Sequence, residues 1–552
     1  MNQVEVKRKQ LQLCSHCLGL VVLSILAGRI YYNGVTYLAG AIAFVAAMGI
    51  LINGSAADTL GRLLRGRNAK GQYKNAAKLR RSIFYVQLVL GLLGSSILLL
   101  LANPVAESVL KIPYSKYLIM LIAPIIFLRT MSAVFLGCLQ GEGNELFSAV
   151  VNIVRYLLIL LLGLLFSGRL LEYGQKVSNL LGKGTFTAMY GGMGIAVAIV
   201  VSELIVGVLL FLGYKTIGKK KRKKDAEGMK ATDSFGSQIK LFQGSRGVLM
   251  LSGLTTFLPF LTGFIFFQHY IQNLCMANSF TLNQGEGYQD MFGIYLAKYM
   301  LPCGLVILLL LTSILPLIAK LSSSIRKEEQ RFARVVFQGG MKNLIVFSLF
   351  WAVYVMVMAE QLAGVFSPNA IETTTETVLL ADMLKGGSFI IVLLPLCYYF
   401  NRVLILSGKR YAVLACGAIA DVISIIALLI MYQKTLLGIM ALVYGGLLFL
   451  LVYMLLLCAL LLRQLQAGID YLRVLAIPVG SACVAGLLSF LLAKICTPHL
   501  GNLVTVLVCF VLSLMVYLVL VLFFRCYNEQ ELSMLPGGRV LKAAGQLIRV
   551  FH

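Results

Sequence analysis

Five cationic side chains interrupt long apolar stretches of the sequence, and four of them are candidates for ligand binding: Arg29, Arg129, Arg155 and Lys298. An ionised side chain in hydrocarbon costs about 2.5–3.5 kcal/mol on insertion scales, so a charge in such a stretch marks a candidate functional group. Guanidinium groups hold phosphate and carboxylate oxygens through paired, charge-assisted hydrogen bonds. These cations are therefore predicted to bind an anionic ligand. The alternative interpretation is that each reaches a polar surface or neutralises a nearby acid.

Two acidic side chains, Glu203 and Asp421, stand alone deep within other apolar stretches. Burial disfavours the charged form of a carboxyl group, so both residues are candidates for ion coupling. Hydrogen bonding to a neighbouring Ser or Tyr is the alternative for each. A further acid, Asp382, stands three residues before Lys385. This spacing predicts an ion pair on one helix.

The composition indicates that these charges lie in a membrane protein. Of the 552 residues, 59% are hydrophobic and 13% are charged, and the mean hydropathy is +0.88. Apolar stretches of about 20 residues, the length that crosses a hydrocarbon layer, recur along the chain. The sequence therefore predicts an all-α polytopic membrane protein with about 14 transmembrane helices. They lie near residues 12–32, 34–54, 83–103, 118–138, 146–166, 188–213, 247–268, 294–318, 343–363, 379–402, 411–432, 436–461, 475–495 and 503–525.

A basic run from Lys215 to Lys224, which contains KKKRKK, lies midway along the chain. The apolar composition argues against a nucleic-acid partner for it. If the spans alternate sides from a cytoplasmic N-terminus, this run and most of the 48 Lys and Arg residues fall on the cytoplasmic side, as the positive-inside rule requires. We therefore expect a multi-pass protein of a bacterial-type cytoplasmic membrane with both termini inside. The basic run would anchor this topology on anionic membrane lipids.

Two kinds of cytoplasmic connector recur after six spans. Basic amphipathic segments follow span 2 (LGRLLRGRNAKGQYKNAAKLRRS) and span 8 (IAKLSSSIRKEEQRFARVV), and short glycine turns follow span 4 (FLGCLQGEGN) and span 10 (RVLILSGKR). Such a repeat predicts two six-helix bundles, as in transporters that bind substrate at the repeat interface. The expected domains are residues 1–240 with the basic linker, 241–462, two additional transmembrane helices in 463–525, and a cytoplasmic tail at 526–552.

The loop signatures resemble those of the MOP superfamily of exporters. The motifs that carry the resemblance are ILPLIAKLSSSIRKEEQRF, KGQYKNAAKLRRS, FLRTMSAVFLGCLQGEGN and the C-terminal NEQELSMLPGGRVLKAAG. Within the superfamily they are most similar to the polysaccharide and lipid-linked oligosaccharide branch, which includes the lipid II flippases and relatives of stage V sporulation protein B. The family's first-span arginine pattern is reduced here to LAGRIYYNG, in which Arg29 is the residue that matches.

This resemblance implies a flippase that moves a polyprenyl-diphosphate-linked saccharide across the membrane by alternating access. Its cargo would be a polysaccharide repeat unit or a peptidoglycan precursor, and its partners would be proteins that assemble cell-envelope polysaccharides. A cation-coupled drug exporter of the same superfamily and a transport-inactive scaffold for polysaccharide assembly are the alternatives. No cofactor or metal is expected, because the pair Cys14 and Cys17 has no second pair of ligands elsewhere. The short outer loops and four histidines argue against an enzyme.

Overall fold

Every regular element in the described part of the computed structural model is a helix. The structure describes residues 3–144, 146–217, 233–277, 289–326, 330–367, 374–434, 437–465 and 471–528, with 531, 532, 538 and 546. The longer helices are α1 (Gln3–Ala27), α2 (Tyr32–Asn53), α3 (Ala56–Ala69), α4 (Tyr73–Leu100), α5 (Ser115–Ile122), α6 (Pro124–Gly141), α7 (Phe147–Leu181), α8 (Thr185–Ile217), α9 (Phe235–Ala277), α10 (Leu301–Arg326), α11 (Gln330–Val357), α12 (Ala359–Phe366), α13 (Thr374–Gly387), α14 (Ile390–Leu406), α15 (Arg410–Lys434), α16 (Met440–Leu465) and α17 (Ile477–Phe523). A short helical segment, Ala102–Pro104, and three π-helical segments, Val105–Val109, Tyr295–Met300 and Leu472–Ala476, complete the set. The predicted basic anchor lies outside the described residues from residue 218 onward.

The helices confirm the predicted all-α polytopic membrane fold. Among the described residues, twelve helices are long and apolar enough to cross a membrane, and the pair α13–α14, bent by 42°, makes a thirteenth. The 47 residues of α17 would extend about 70 Å, more than twice the thickness of the hydrocarbon layer. Gly501 breaks this helix with φ 72° and ψ 169°. The two parts of α17 therefore correspond to the last two predicted spans.

The first, ninth and tenth predicted spans differ from the helices that form; the ninth was expected to reach residue 363 but is interrupted at Met358, between α11 and α12. The first was expected to reach residue 32, but α1 ends at Ala27 and a turn precedes α2. The tenth was expected to be continuous, but it breaks between Gly387 and Ile390. The hydroxyl of Tyr299, which lies in the π-helical segment before α10, donates to the carbonyl oxygen of Gly387 at 2.9 Å. A tertiary contact thus satisfies a carbonyl at the end of α13, where no intrahelical donor is available.

The described chain forms two compact units. The first, called the N-unit here, contains Val21–Gly293 and Leu428–Gly438. The second, called the C-unit, contains Met1–Leu20, Ile294–Ala427 and Ile439–His552. The predicted pair of superposable bundles with limits at residues 240 and 462 stays a prediction.

In the N-unit, α7 and α8 form a long antiparallel pair. A Cβ atom added at Gly194 of α8 would lie only 2.6 Å from the Cα atom of Ser167 in α7, so the two backbones approach at a point where only glycine fits. Nearer the other end of the pair, α6 packs on both helices through an apolar cluster: Leu139, Val151, Val206 and Leu210. This packing fixes the three helices that carry the site described below.

In the C-unit, α17 packs against α11 through aromatic rings. Phe350 is 2% exposed, and its ring centroid lies 5.7 Å from that of Phe510 and 5.2 Å from that of Tyr517. The Tyr517 hydroxyl also donates to the carbonyl oxygen of Val346 at 2.6 Å. Each buried tyrosine hydroxyl that finds such an acceptor avoids the cost of an unpaired polar group. The last helices are therefore an integral part of the C-unit.

Candidate functional site

A buried carboxylate and two guanidinium groups meet in the N-unit. Arg155 donates from Nη2 to Oε1 of Glu203 at 3.1 Å, and its Nε atom lies 3.0 Å from Oε2 of the same residue. The Nε atom of Arg129 lies 3.5 Å from Oε2. We call these three residues the arginine–glutamate cluster. It brings together two predicted ligand residues and one predicted coupling residue.

Each member of the cluster comes from a different helix. Arg129 lies halfway along the span Ser115–Gly141, Arg155 is near the start of α7, and Glu203 lies in the second half of α8. Because α7 and α8 are antiparallel, these last two positions are close in space. Arg155 also donates from Nη1 to Oδ1 of Asn152, one turn earlier in α7. That contact orients the guanidinium plane toward Glu203.

The three side chains differ in exposure. The side chain of Glu203 is 1% exposed, that of Arg155 is 20% exposed and that of Arg129 is 47% exposed. Arg155 is held by Glu203 and Asn152, whereas Arg129 has one polar contact within the described part of the chain, the one at 3.5 Å. Two cations share one acid, so the cluster carries a net charge of about +1 at neutral pH. Since Arg129 is the most exposed of the three side chains, we assign the surplus positive charge to it.

Glu203 was predicted to be an isolated acid, and the structure shows that it is paired. The prediction failed because its partners lie 74 and 48 residues earlier in the sequence, on other helices. Asn152 was not predicted as part of the site. Its spacing of three residues from Arg155 places both on one face of a helix, which is the signal that could have identified it.

Arg29 does not join the cluster. It lies in the turn after α1 and is exposed. The neighbouring Ile30 packs against Gly191 of α8, which precedes Glu203 by twelve residues. At 1.5 Å per residue, Arg29 is therefore roughly 18 Å from the cluster along the helix axis.

Lys298 lies in the C-unit and is paired there. Its Nζ atom is 2.5 Å from Oε1 of Glu376 and donates to the Ser367 hydroxyl at 2.8 Å. The Ser367 hydroxyl donates to the same carboxylate oxygen at 2.9 Å. Lys298 thus connects the π-helical segment Tyr295–Met300 to the ends of the loop between α12 and α13, and its role in ligand binding stays a prediction.

The comparisons with known proteins place this geometry in a known fold. No family model matches the sequence, and no curated protein matches it. Among solved structures, an inward-closed lipid II flippase MurJ matches with a TM-score of 0.61 and 13% identity over 94% of this chain and 99% of that chain. An inward-facing multidrug resistance MATE family transporter of the MOP superfamily matches with 0.57 and 15% over 83% and 95%. An outward-facing structure of such a transporter matches with 0.54 and 14% over 84% and 98%.

The chain shares the fold of these three structures. The structural neighbours themselves are transporters or a flippase. In this chain, the arginine–glutamate cluster lies in the N-unit, and Lys298 lies in the C-unit.

The C-unit also contains the second predicted coupling residue. Asp421 in α15 is 4% exposed, and neither of its carboxylate oxygens has a hydrogen-bond partner among the described residues. On the adjacent helices, the Asn401 side chain donates to the Tyr453 hydroxyl at 2.9 Å. A buried carboxylate without a donor is costly unless a proton or a cation compensates it. The predicted hydrogen bond from Asp421 to a neighbouring Ser or Tyr does not form in this part of the chain.

Lys385 has a different partner from the one that its spacing predicted. Its Nζ atom lies 2.7 Å from Oε1 of Glu360 in α12, not beside Asp382. Both side chains are largely exposed, at 43% and 69%, so this pair contributes little to stability. This exposed pair in the C-unit contrasts with the buried arginine–glutamate cluster of the N-unit.

Proposed function

We propose that this chain is a transporter that moves a polyprenyl-diphosphate-linked saccharide across a cell membrane by alternating access. The observation that carries the proposal is the half-exposed guanidinium of Arg129 in the middle of a span, which holds the surplus charge of the cluster. A guanidinium at that depth faces either lipid or water. Lipid would cost about 2.5–3.5 kcal/mol, so we place Arg129 on a water-filled surface.

The chemistry of this surface favours an anionic cargo. A diphosphate brings at least two negative charges and several acceptor oxygens, and the planar guanidinium binds such oxygens in pairs. Hydrocarbon offers nothing to compensate those charges during passage. Arg129 would supply part of the compensation, whereas Arg155 neutralises Glu203.

The structural match with the flippase extends over more of this chain than the matches with the two drug transporters. The MurJ structure covers 94% of this chain, whereas the two MATE structures cover 83% and 84%. The difference is similar in size to the last predicted pair of spans, which lie in Leu472–Phe523, a segment of 52 residues.

A cation-coupled small-molecule exporter is the second candidate, and one observation favours it. The unpaired carboxylate of Asp421 could bind a proton or a small cation whose gradient drives transport. The same residue could couple a flippase, so it favours ion coupling without selecting the cargo. The cargo is decided by the test of Arg129.

The test is transport by purified protein in proteoliposomes. With a fluorescent polyprenyl-diphosphate-linked saccharide, Arg129→Ala should lower the rate roughly 10- to 100-fold, since a hydrogen bond to a charged group is worth about 1.5–3 kcal/mol. Arg129→Lys should restore part of the transport rate, because the positive charge remains but the planar set of guanidinium donors is lost. Lys385→Ala, which removes one exposed cation from the C-unit, should transport normally. A normal transport rate in Arg129→Ala would refute the assignment of Arg129 to the binding site. Transport of a cationic dye but not of the lipid-linked saccharide would favour the small-molecule exporter.

We also propose that the protein lies in a bacterial-type cytoplasmic membrane with both termini inside. The charge distribution of the loops supports this orientation. A cysteine at residue 222 should be protected from a membrane-impermeant maleimide in intact cells and should react after lysis. Labelling in intact cells would contradict this orientation.

A further inference from the structure

The two arginines of the cluster are held differently. Glu203 and Asn152 occupy the guanidinium of Arg155 on two sides, and 20% of that side chain is exposed. Arg129 is 47% exposed and touches the same carboxylate at 3.5 Å, beyond the usual length of a strong charge-assisted hydrogen bond. Arg129 can therefore turn toward a ligand while Arg155 stays with Glu203.

Glu203 is therefore an anion that already lies beside Arg129, the cation proposed to bind the ligand. An incoming phosphate has to draw Arg129 away from the carboxylate, and a departing phosphate leaves Arg129 next to it again. A guanidinium left without any counter-charge in a membrane span is unfavourable. The carboxylate weakens binding, and it also supplies the counter-charge when the ligand leaves.

Resting on the proposed function, we propose that Glu203 is a positioning residue for ligand release: it competes with the anionic ligand for Arg129 and takes that cation back as the ligand departs. The ligand class is an isoprenoid phosphate or diphosphate headgroup. Removing the competing carboxylate should tighten binding and slow release. A purely structural ion pair would change neither in this direction.

The variant that isolates this role is Arg155→Met/Glu203→Met. It removes one cation and one acid, so the net charge of the cluster is unchanged, and apolar residues of similar volume commonly replace buried ion pairs without loss of stability. Farnesyl diphosphate, titrated by calorimetry into the full-length protein in non-ionic detergent, is the probe. We expect its Kd to fall about fivefold, the factor that corresponds to about 1 kcal/mol for a partly exposed ion pair.

Transport separates release from binding. In proteoliposomes the same variant should show a lower KM and a lower kcat, because tighter binding comes with slower departure. Lys342→Met/Glu531→Gln, which removes one ion pair from the C-unit without changing net charge, should leave Kd unchanged. If the cluster variant does not fold, Glu203→Asp replaces it, since the shorter carboxylate withdraws from Arg129 and the charge is kept.

The outcomes are decisive. A Kd that is unchanged or weaker in the folded cluster variant overturns the proposal, because net charge alone then determines affinity. A tighter Kd with unchanged or faster turnover also overturns it, because release does not then depend on Glu203. Wild-type protein that binds no farnesyl diphosphate, or that binds it equally after Arg129→Ala, refutes the proposed function as well. If the wild-type protein binds farnesyl diphosphate and Arg129→Ala weakens that binding, an unchanged Kd in the cluster variant refutes this inference alone.

Discussion

Neutralising Asp421 should stabilise the protein against thermal unfolding. The carboxylate is 4% exposed and has no hydrogen-bond donor among the described residues. An unsatisfied buried polar group costs about 1–3 kcal/mol, and more when it is charged. Asp421→Asn keeps the shape and removes the charge, so we expect a gain of about 1–3 kcal/mol in the free energy of unfolding. At an unfolding entropy of roughly 2.1 cal/mol/K per residue, this gain raises Tm by about 1–3 °C.

The assay is thermal unfolding in detergent, followed by circular dichroism in sodium-free buffer. Asp382→Asn is the matched control, because Asp382 is an exposed acid in the same unit and should leave Tm unchanged. If Na⁺ compensates Asp421, adding it should stabilise the wild-type protein by about 1.4 kcal/mol at ten times its Kd, and should not stabilise the variant. A lower Tm in Asp421→Asn would refute the reasoning, since the carboxylate would then have a stabilising partner. A sodium effect of equal size in both proteins would place the ion elsewhere.

Three further substitutions test the packing and the ion pairs of the C-unit. Phe350→Ala should lower the free energy of unfolding by about 3–5 kcal/mol. It should also shift the fluorescence emission of the single tryptophan, Trp351, to the red. Unchanged emission would refute the aromatic packing of α17 on α11. Lys342→Met should lower Tm and speed proteolysis of the C-terminal tail, because it leaves the largely buried carboxylate of Glu531 without its cationic partner. Adding Glu531→Gln should restore both Tm and the rate of proteolysis. Equal Tm in the single and double variants would contradict this. Lys298→Met/Glu376→Gln should fold and transport normally, and loss of transport at normal Tm would return Lys298 to the ligand site.

The fold class and most spans could be predicted from the sequence because hydropathy is a local property of the chain. The end of α1 and the break between α13 and α14 could not be predicted in this way. Residues near the α13–α14 break are apolar enough to continue a span, and the break coincides with a hydrogen bond from Tyr299, which is 88 residues away in sequence. Such contacts depend on how helices pack, and hydropathy carries no information about them.

The candidate site, too, could be predicted only in part from the sequence. Hydropathy identified Arg129, Arg155 and Glu203 as unusual charges, but their pairing depends on three helices that meet. The helical spacing between Asp382 and Lys385 was misleading, because a carboxylate on α12 is available to Lys385 and offers a 2.7 Å contact. An exposed pair at that spacing contributes only a few tenths of a kcal/mol, so a tertiary partner readily replaces it.

The acid in the arginine–glutamate cluster would reconcile insertion of the protein with the proposed binding of an anion. Two uncompensated arginines in adjacent spans would each carry the full cost of a charge in hydrocarbon and would repel one another. Glu203, 1% exposed, neutralises one of them and leaves the other held at 3.5 Å and half exposed. Buried ion pairs are weak contributors to stability, and apolar residues of similar volume often serve better. Stability alone therefore does not explain three charged groups at this depth, whereas the proposed binding and release of an anionic headgroup would explain them.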